Sequence, residues 1–151
     1  MTTETNNGDE LMQEPLPLPE LTVERLWREG RLGSNDKLSW ARMTAGTRLF
    51  EDWWYSKFNP LYASARSGNI PDDVLTHEDK YLRAFRRISP ELRNIADSFL
   101  IRNQTIDGFF ERNPILNNTA QTKREIVRAL IRALDQIGQA YEDMDNLTNG
   151  R

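Results

Sequence analysis

The stretch Thr119–Tyr141, TAQTKREIVRALIRALDQIGQAY, decides the fold class. Within it Ile126, Leu130, Leu134, Ile137 and Tyr141 recur at steps of four, four, three and four, the spacing of one face of an α-helix. Val127 and Ile131 widen that stripe, while Arg124, Arg128 and Arg132 stack at steps of four on the face turned away. Thr119 or Thr122 can cap the start, and Glu125 three residues after Thr122 completes a capping box. The pattern predicts a helix over 119–143.

Moving outward, Thr105 opens a short helix, TIDGFFER, closed by Asn113-Pro114. Ser89-Pro90-Glu91 combines a cap, a residue suited to the first helical position and an acid at the positive helix end. It predicts a helix over 91–103 burying Leu92, Ile95, Ala96, Phe99 and Leu100. Thr76 with Asp79 resembles a capping box opening THEDKYLRAFRRI, with Tyr81, Leu82, Phe85 and Ile88 inward and Arg83, Arg86 and Arg87 outward. SGNIPDDVL, residues 67–75, has the turn chemistry of a loop.

Asp36 or Ser39 can cap a longer helix carrying Trp40, Met43, Leu49, Phe50, Trp53, Trp54 and Phe58, which Pro60 ends or kinks. Its aromatic stripe reads as core packing rather than as a stacking platform for bases. LTVERLWREG, residues 21–30, is a short first helix with Thr22 as cap and Gly30 as stop. No strand-like alternation or internal repeat appears, so the chain is expected to be all-α, a bundle of about six helices over residues 21–144 with a polar tail at 145–151. Residues 1–20 are acidic and carry Pro15, Pro17 and Pro19, so they read as a disordered arm that cannot bury enough apolar surface to order itself.

With 151 residues, no cysteine and one histidine, the chain has no disulfide framework, thiolate zinc site, cysteine nucleophile or His-pair metal site. His77 reads as an exposed helix-start residue. The pairs Glu51-Asp52, Asp72-Asp73 and Glu78-Asp79 have no evident facing partner for acid–base chemistry, because helix neighbours diverge by about 100°. No enzyme activity, cofactor or metal is expected. There is no apolar run of about 18 residues and no basic-then-apolar start, so neither a membrane span nor a secretory signal is expected and the chain reads as cytoplasmic.

The net charge of -3 conceals an uneven layout. Residues 1–20 carry five acids and no base, whereas residues 80–132 carry eleven bases against five acids, or +6. Such a segregated basic segment suits a polyanionic partner. The rival reading of the Arg stripe is a plain solvated helix face. The three helices expected at 91–103, 105–112 and 119–143 have the outline of a helix-turn-helix, although the loop 113–118 is longer than a tight turn. The start of the last helix then offers Asn118, Thr119, Gln121, Thr122, Lys123 and Arg124 to base edges or phosphates of double-stranded DNA. Arg128, Arg132, Arg112 and Arg102 are the further phosphate candidates.

Met43–Asp52 (MTAGTRLFED) together with Lys80–Tyr141 resembles a small helical domain of alphaproteobacteria and their phages, often described as a domain of unknown function. That domain is similar to the DNA-binding part of gene-transfer-agent transcription activators. The matching elements are Ala45-Gly46 with Arg48, Tyr81 with Ala84, Ser89-Pro90-Glu91-Leu92, the Gly108 helix, Pro114, Ala133-Leu134-Asp135 and Tyr141. Where the family has a Trp-Pro and an Arg-Ser pair, this chain has Asn113-Pro114 and Asn117-Asn118-Thr119, so base contacts do not carry over. The resemblance implies a phage-type DNA-binding transcription regulator.

Two alternatives stand beside it. One is a small terminase-like packaging subunit, which would assemble as a ring, and a homo-oligomer is also compatible with the regulator. The other is a protein–protein module, a phage-encoded inhibitor or adaptor with a patch at Trp53-Trp54-Tyr55, since one helix face cannot bury both indoles. For the acidic arm two roles are expected: competition for the basic face, or contact with RNA polymerase or another host protein.

Overall fold

The computed structural model describes residues 19–65 and 72–149, and among these every regular element is helical. Seven α-helices follow in order: α1 Thr22–Arg28, α2 Asp36–Trp54, α3 Pro60–Ala65, α4 Asp72–Arg86, α5 Arg93–Ala96, α6 Ile106–Arg112 and α7 Ala120–Asn149. Most of the expected arm, residues 1–18, lies outside the described residues, as do residues 66–71, which include 67–71 of the expected loop. None of the described helices is long and apolar enough to cross a membrane.

The longest helix, α7, is the spine of the bundle. Its stripe Ile126, Leu130, Leu134, Ile137 and Tyr141 is buried as the spacing predicts, joined by Val127, Ala133 and Ala140. The helix continues to Asn149, past the expected boundary at 144, because Asp145 is held by Arg48 rather than left in a polar tail. α2 crosses α7 at small residues. A Cβ built on Gly46 would lie 3.0 Å from Leu134 Cδ2, 3.0 Å from Val23 Cγ2 and 3.2 Å from Leu100 Cδ2, so only glycine fits there without displacing core methyls. Ala45 faces Gly138 on the same crossing.

Several local expectations change, each for a visible reason. The first helix is capped at Leu21 rather than Thr22, because Thr22 turns its N–H and hydroxyl onto Asn103. Gly30 does stop it: at φ +73° it lets the N–H groups of Gly30 and Arg31 close on the carbonyls of Trp27 and Leu26, a Schellman motif. Asn35, one residue before Asp36, caps α2 by accepting from the Leu38 N–H at 2.9 Å. α2 ends at Trp54, and Pro60 begins α3 instead of ending its predecessor. The freed groups are taken up by buried Ser56 and Asn59, whose side chains bond the carbonyls of Trp53 and Trp54, while Asn59 Oδ1 accepts from the Leu61 N–H. Phe58 therefore sits beyond the helix and half-open beside Tyr81, and Trp40, one turn into α2, lies edge-on to Trp27 at the surface with 54% of its area exposed.

α4 starts at Asp72, so Thr76 and His77 lie inside the helix and the expected capping box is absent. The single helix expected over 91–103 is a composite: a 3-10 turn at Pro90–Leu92, α5, and a π turn at Asp97–Ile101. A regular α-helix cannot turn four successive residues inward, and the wider turn buries Ser98, Phe99, Leu100 and Ile101 together. Ser89 holds the N-cap position ahead of Pro90, as expected, but makes no side-chain cap bond. Its hydroxyl and N–H form a reciprocal pair with the Gln136 amide on α7.

Candidate nucleic-acid interface

The first six residues of α7 contribute nothing to the core, which begins at Ile126. Thr119 caps this free end, its hydroxyl accepting from the Thr122 N–H at 3.1 Å and lying 2.9 Å from the Thr122 hydroxyl. Asn118, Thr119, Gln121, Arg124, Arg128 and Arg132 are exposed, whereas Thr122 and Lys123 are half-buried where α6 passes them. Lys123 Nζ meets Asp107 of α6 at 3.6 Å, which ties the two helices together across the seven-residue connection 113–119.

The ten expected contact residues do not form one uniform surface. Arg124 and Arg128 share the exposed stripe of α7, and Arg112 lines a cleft of about 610 Å³ with Thr122, Glu125 and the loop residues Pro114, Ile115 and Leu116. Lys123 belongs to a second cleft of about 290 Å³, with Thr22, Arg25, Arg31 and Asp107. Arg102 bonds Asp97 at 2.8 Å across the π turn, and Arg132 faces Glu91 at 3.9 Å. Arg112, Arg124 and Arg128 are the bases of this set that make no ion pair among the described residues.

One buried cluster was not anticipated. Asp52, 4% exposed on α2, accepts a 2.7 Å hydrogen bond from the Tyr141 hydroxyl on α7 and lies 2.6 Å from His77 Nδ1 on α4. The expectation that Asp52 lacks a facing partner, and that His77 is an exposed helix-start residue, is thus replaced: Asp52, His77 and Tyr141 together join three helices. Arg48, one turn earlier on α2, stacks over the Tyr141 ring at 4.3 Å and grips Asp145 through two bonds of 2.9 and 2.7 Å. That grip holds the Asp145 carboxyl below the usual range. Among the described residues, no group of three or more His, Cys, Asp or Glu side chains is placed to hold a metal ion.

Burial, reinforced by the Asp52 charge, pushes the Tyr141 phenol far above its ordinary range, and burial raises Tyr81 to about 12. The unfolded chain releases these protons near pH 10, whereas the folded chain keeps them, so the stabilisation is intact below about pH 10 and is lost as pH rises beyond it. Denaturant titrations should show a lower midpoint at about pH 11 than at about pH 8, with phenolate absorbance from Tyr81 and Tyr141 appearing only on unfolding. Equal midpoints, with all tyrosines ionising in the folded chain, would contradict the burial.

Compared with family models, with curated proteins and with solved structures, the chain matches none of them.

Proposed function

We propose that the chain is a small, non-enzymatic DNA-binding protein, a transcription regulator of phage type, that presents the start of α7 to double-stranded DNA. The observation that carries this reading is the capped N-terminus of α7, projecting past the core with Arg124 and Arg128 exposed and without an ion pair among the described residues, and Arg112 beside it. A helix N-terminus attracts a phosphate oxygen, Gln121 is placed to reach a base edge, and the three arginines suit flanking phosphates. The family resemblance supports the same reading, although the structure gives the matching residues packing roles: Gly46 at the α2–α7 crossing, Arg48 and Tyr141 in the buried cluster, Ser89 on Gln136.

The test is a mobility shift on a mixed-sequence duplex. Arg124→Ala with Arg128→Ala should weaken binding roughly fiftyfold at about 0.1 M salt, the effect of losing two phosphate contacts. Lys37→Ala and Arg86→Ala, exposed bases elsewhere, should change affinity less than about twofold. If the double variant binds as the parent does, α7 is not the contact helix.

A second reading, a protein–protein module, is favoured by the groove of about 620 Å³ between α2 and α7. It exposes Leu38 and Trp40, whereas Trp53 and Trp54 of the expected Trp53-Trp54-Tyr55 patch pack on Phe50 at 5.9 and 5.5 Å. Absence of any DNA complex at low salt would leave this reading in place.

A further inference from the structure

We propose that the acidic N-terminal segment, residues 1–18, docks in cis on the open basic face at the start of α7. This deepens the DNA-binding reading, and rests on it only for the consequence that segment and DNA exclude each other.

The first argument is where the segment joins the domain. Asn103, held at φ +56°, donates from its amide to the Glu20 carbonyl at 2.8 Å and accepts from the Thr22 N–H at 2.7 Å. Thr22 lines the same cleft as Lys123, so the chain enters the bundle beside the first turn of α7. Charge is the second argument. Residues 1–18 contain Glu4, Asp9, Glu10 and Glu14 and no lysine or arginine. Around the point of entry four arginines share three acids: Arg28 and Arg25 face Glu20 at 2.8 and 3.6 Å, Arg31 faces Glu29 at 3.6 Å and Arg102 bonds Asp97 at 2.8 Å. Arg112, Arg124 and Arg128, which make no ion pair among the described residues, add the denser group of charges that the four acids can meet.

Reach is sufficient. An extended segment of that length spans about 60 Å, more than the roughly 45 Å of the whole of α7. An apolar complement adjoins the charges, since Ile115 is 95% exposed and Leu116 40% exposed on the rim of the Arg112 cleft, and the segment offers Leu16 and Leu18 among its prolines.

The cysteine-free chain makes the test direct, because Asn7→Cys gives one attachment site for a nitroxide label in the full-length protein. At low salt the label should broaden the backbone amide signals of residues 121–128 and spare those of the middle of α2. Glu4→Gln, Asp9→Asn, Glu10→Gln and Glu14→Gln together should abolish the broadening, as should about 0.5 M salt. No localised broadening, or broadening that survives neutralisation of the four acids, overturns the docking. In the mobility shift, the neutralised chain should bind DNA roughly tenfold more tightly, the factor expected if the segment covers the face about nine-tenths of the time. Localised broadening with no DNA complex from either chain would uphold docking and sink the DNA reading. Equal DNA affinity of the two chains without broadening would do the reverse.

Discussion

Asp52→Ala is expected to cost about 3 kcal/mol of folding stability, because the truncation removes the acceptor shared by two side chains and leaves a buried hydroxyl without a partner. The Tyr141 residue is only 3% exposed, so its hydroxyl cannot turn to water, and His77 loses the carboxylate that anchors α4 to α2. Graded variants separate the parts. Tyr141→Phe deletes one bond and should cost about 1 kcal/mol. Asp52→Asn keeps an acceptor for the phenol and should fall between the two. Urea unfolding at neutral pH measures all three. An Asp52→Ala midpoint equal to that of the parent would mean that the cluster contributes nothing net to the bundle.

Leu134→Ala should cost about 4 kcal/mol, since this fully buried side chain sits where α2, α7 and the π turn meet and its removal leaves a cavity that rigid helices cannot close. Gly46→Ala tests the same junction from the other side. Its new methyl gains about 1 kcal/mol of helix propensity but presses on three buried methyl groups at once, so a net cost of about 1 kcal/mol is expected. The double variant is the sharper observation. With Leu134 Cδ2 gone, the methyl introduced by Gly46→Ala has room and partly fills the cavity, so the pair should cost at least about 1 kcal/mol less than the sum of the two single changes. Strict additivity would show that the close approach at Gly46 is not the feature that sets the crossing.

How much of this was legible in the sequence depends on the kind of signal each element carries. α7 was readable because its period and its arginine stripe agree over many turns, and tertiary packing had no reason to override them. The 97–101 segment was not, since a π turn leaves no mark on a helical period except four successive residues, Ser98 to Ile101, that all go inward. The end of α2 was misplaced because Pro60 is equally a helix breaker and a good first helical residue, and the deciding groups, Ser56 and Asn59, act through hydrogen bonds that no periodicity encodes.

The buried cluster had a trace. Asp52 continues the inward steps of Ala45 and Leu49, His77 those of Tyr81, Ala84 and Ile88, and Tyr141 ends the stripe of α7. Following polar residues along apolar faces, rather than judging carboxylates as adjacent pairs, would have brought the three together. On the candidate interface the sequence marks the start of α7 as a cluster of bases but not which of those bases are ion-paired. Lys123, Arg132 and Arg102 look like free bases in one dimension, and only the fold places Asp107, Glu91 and Asp97 against them.

The salt dependence of DNA binding tests the central claim most directly, measured in the chain whose four N-terminal acids are neutralised so that no internal competitor distorts the slope. Contacts from Arg112, Arg124 and Arg128 predict that the logarithm of the association constant falls with the logarithm of salt with a slope of about -3, shrinking to about -1 when Arg124 and Arg128 are replaced by alanine. No complex at low salt, or a slope that the double replacement leaves unchanged, would contradict the assignment of the α7 terminus as a DNA-contacting surface.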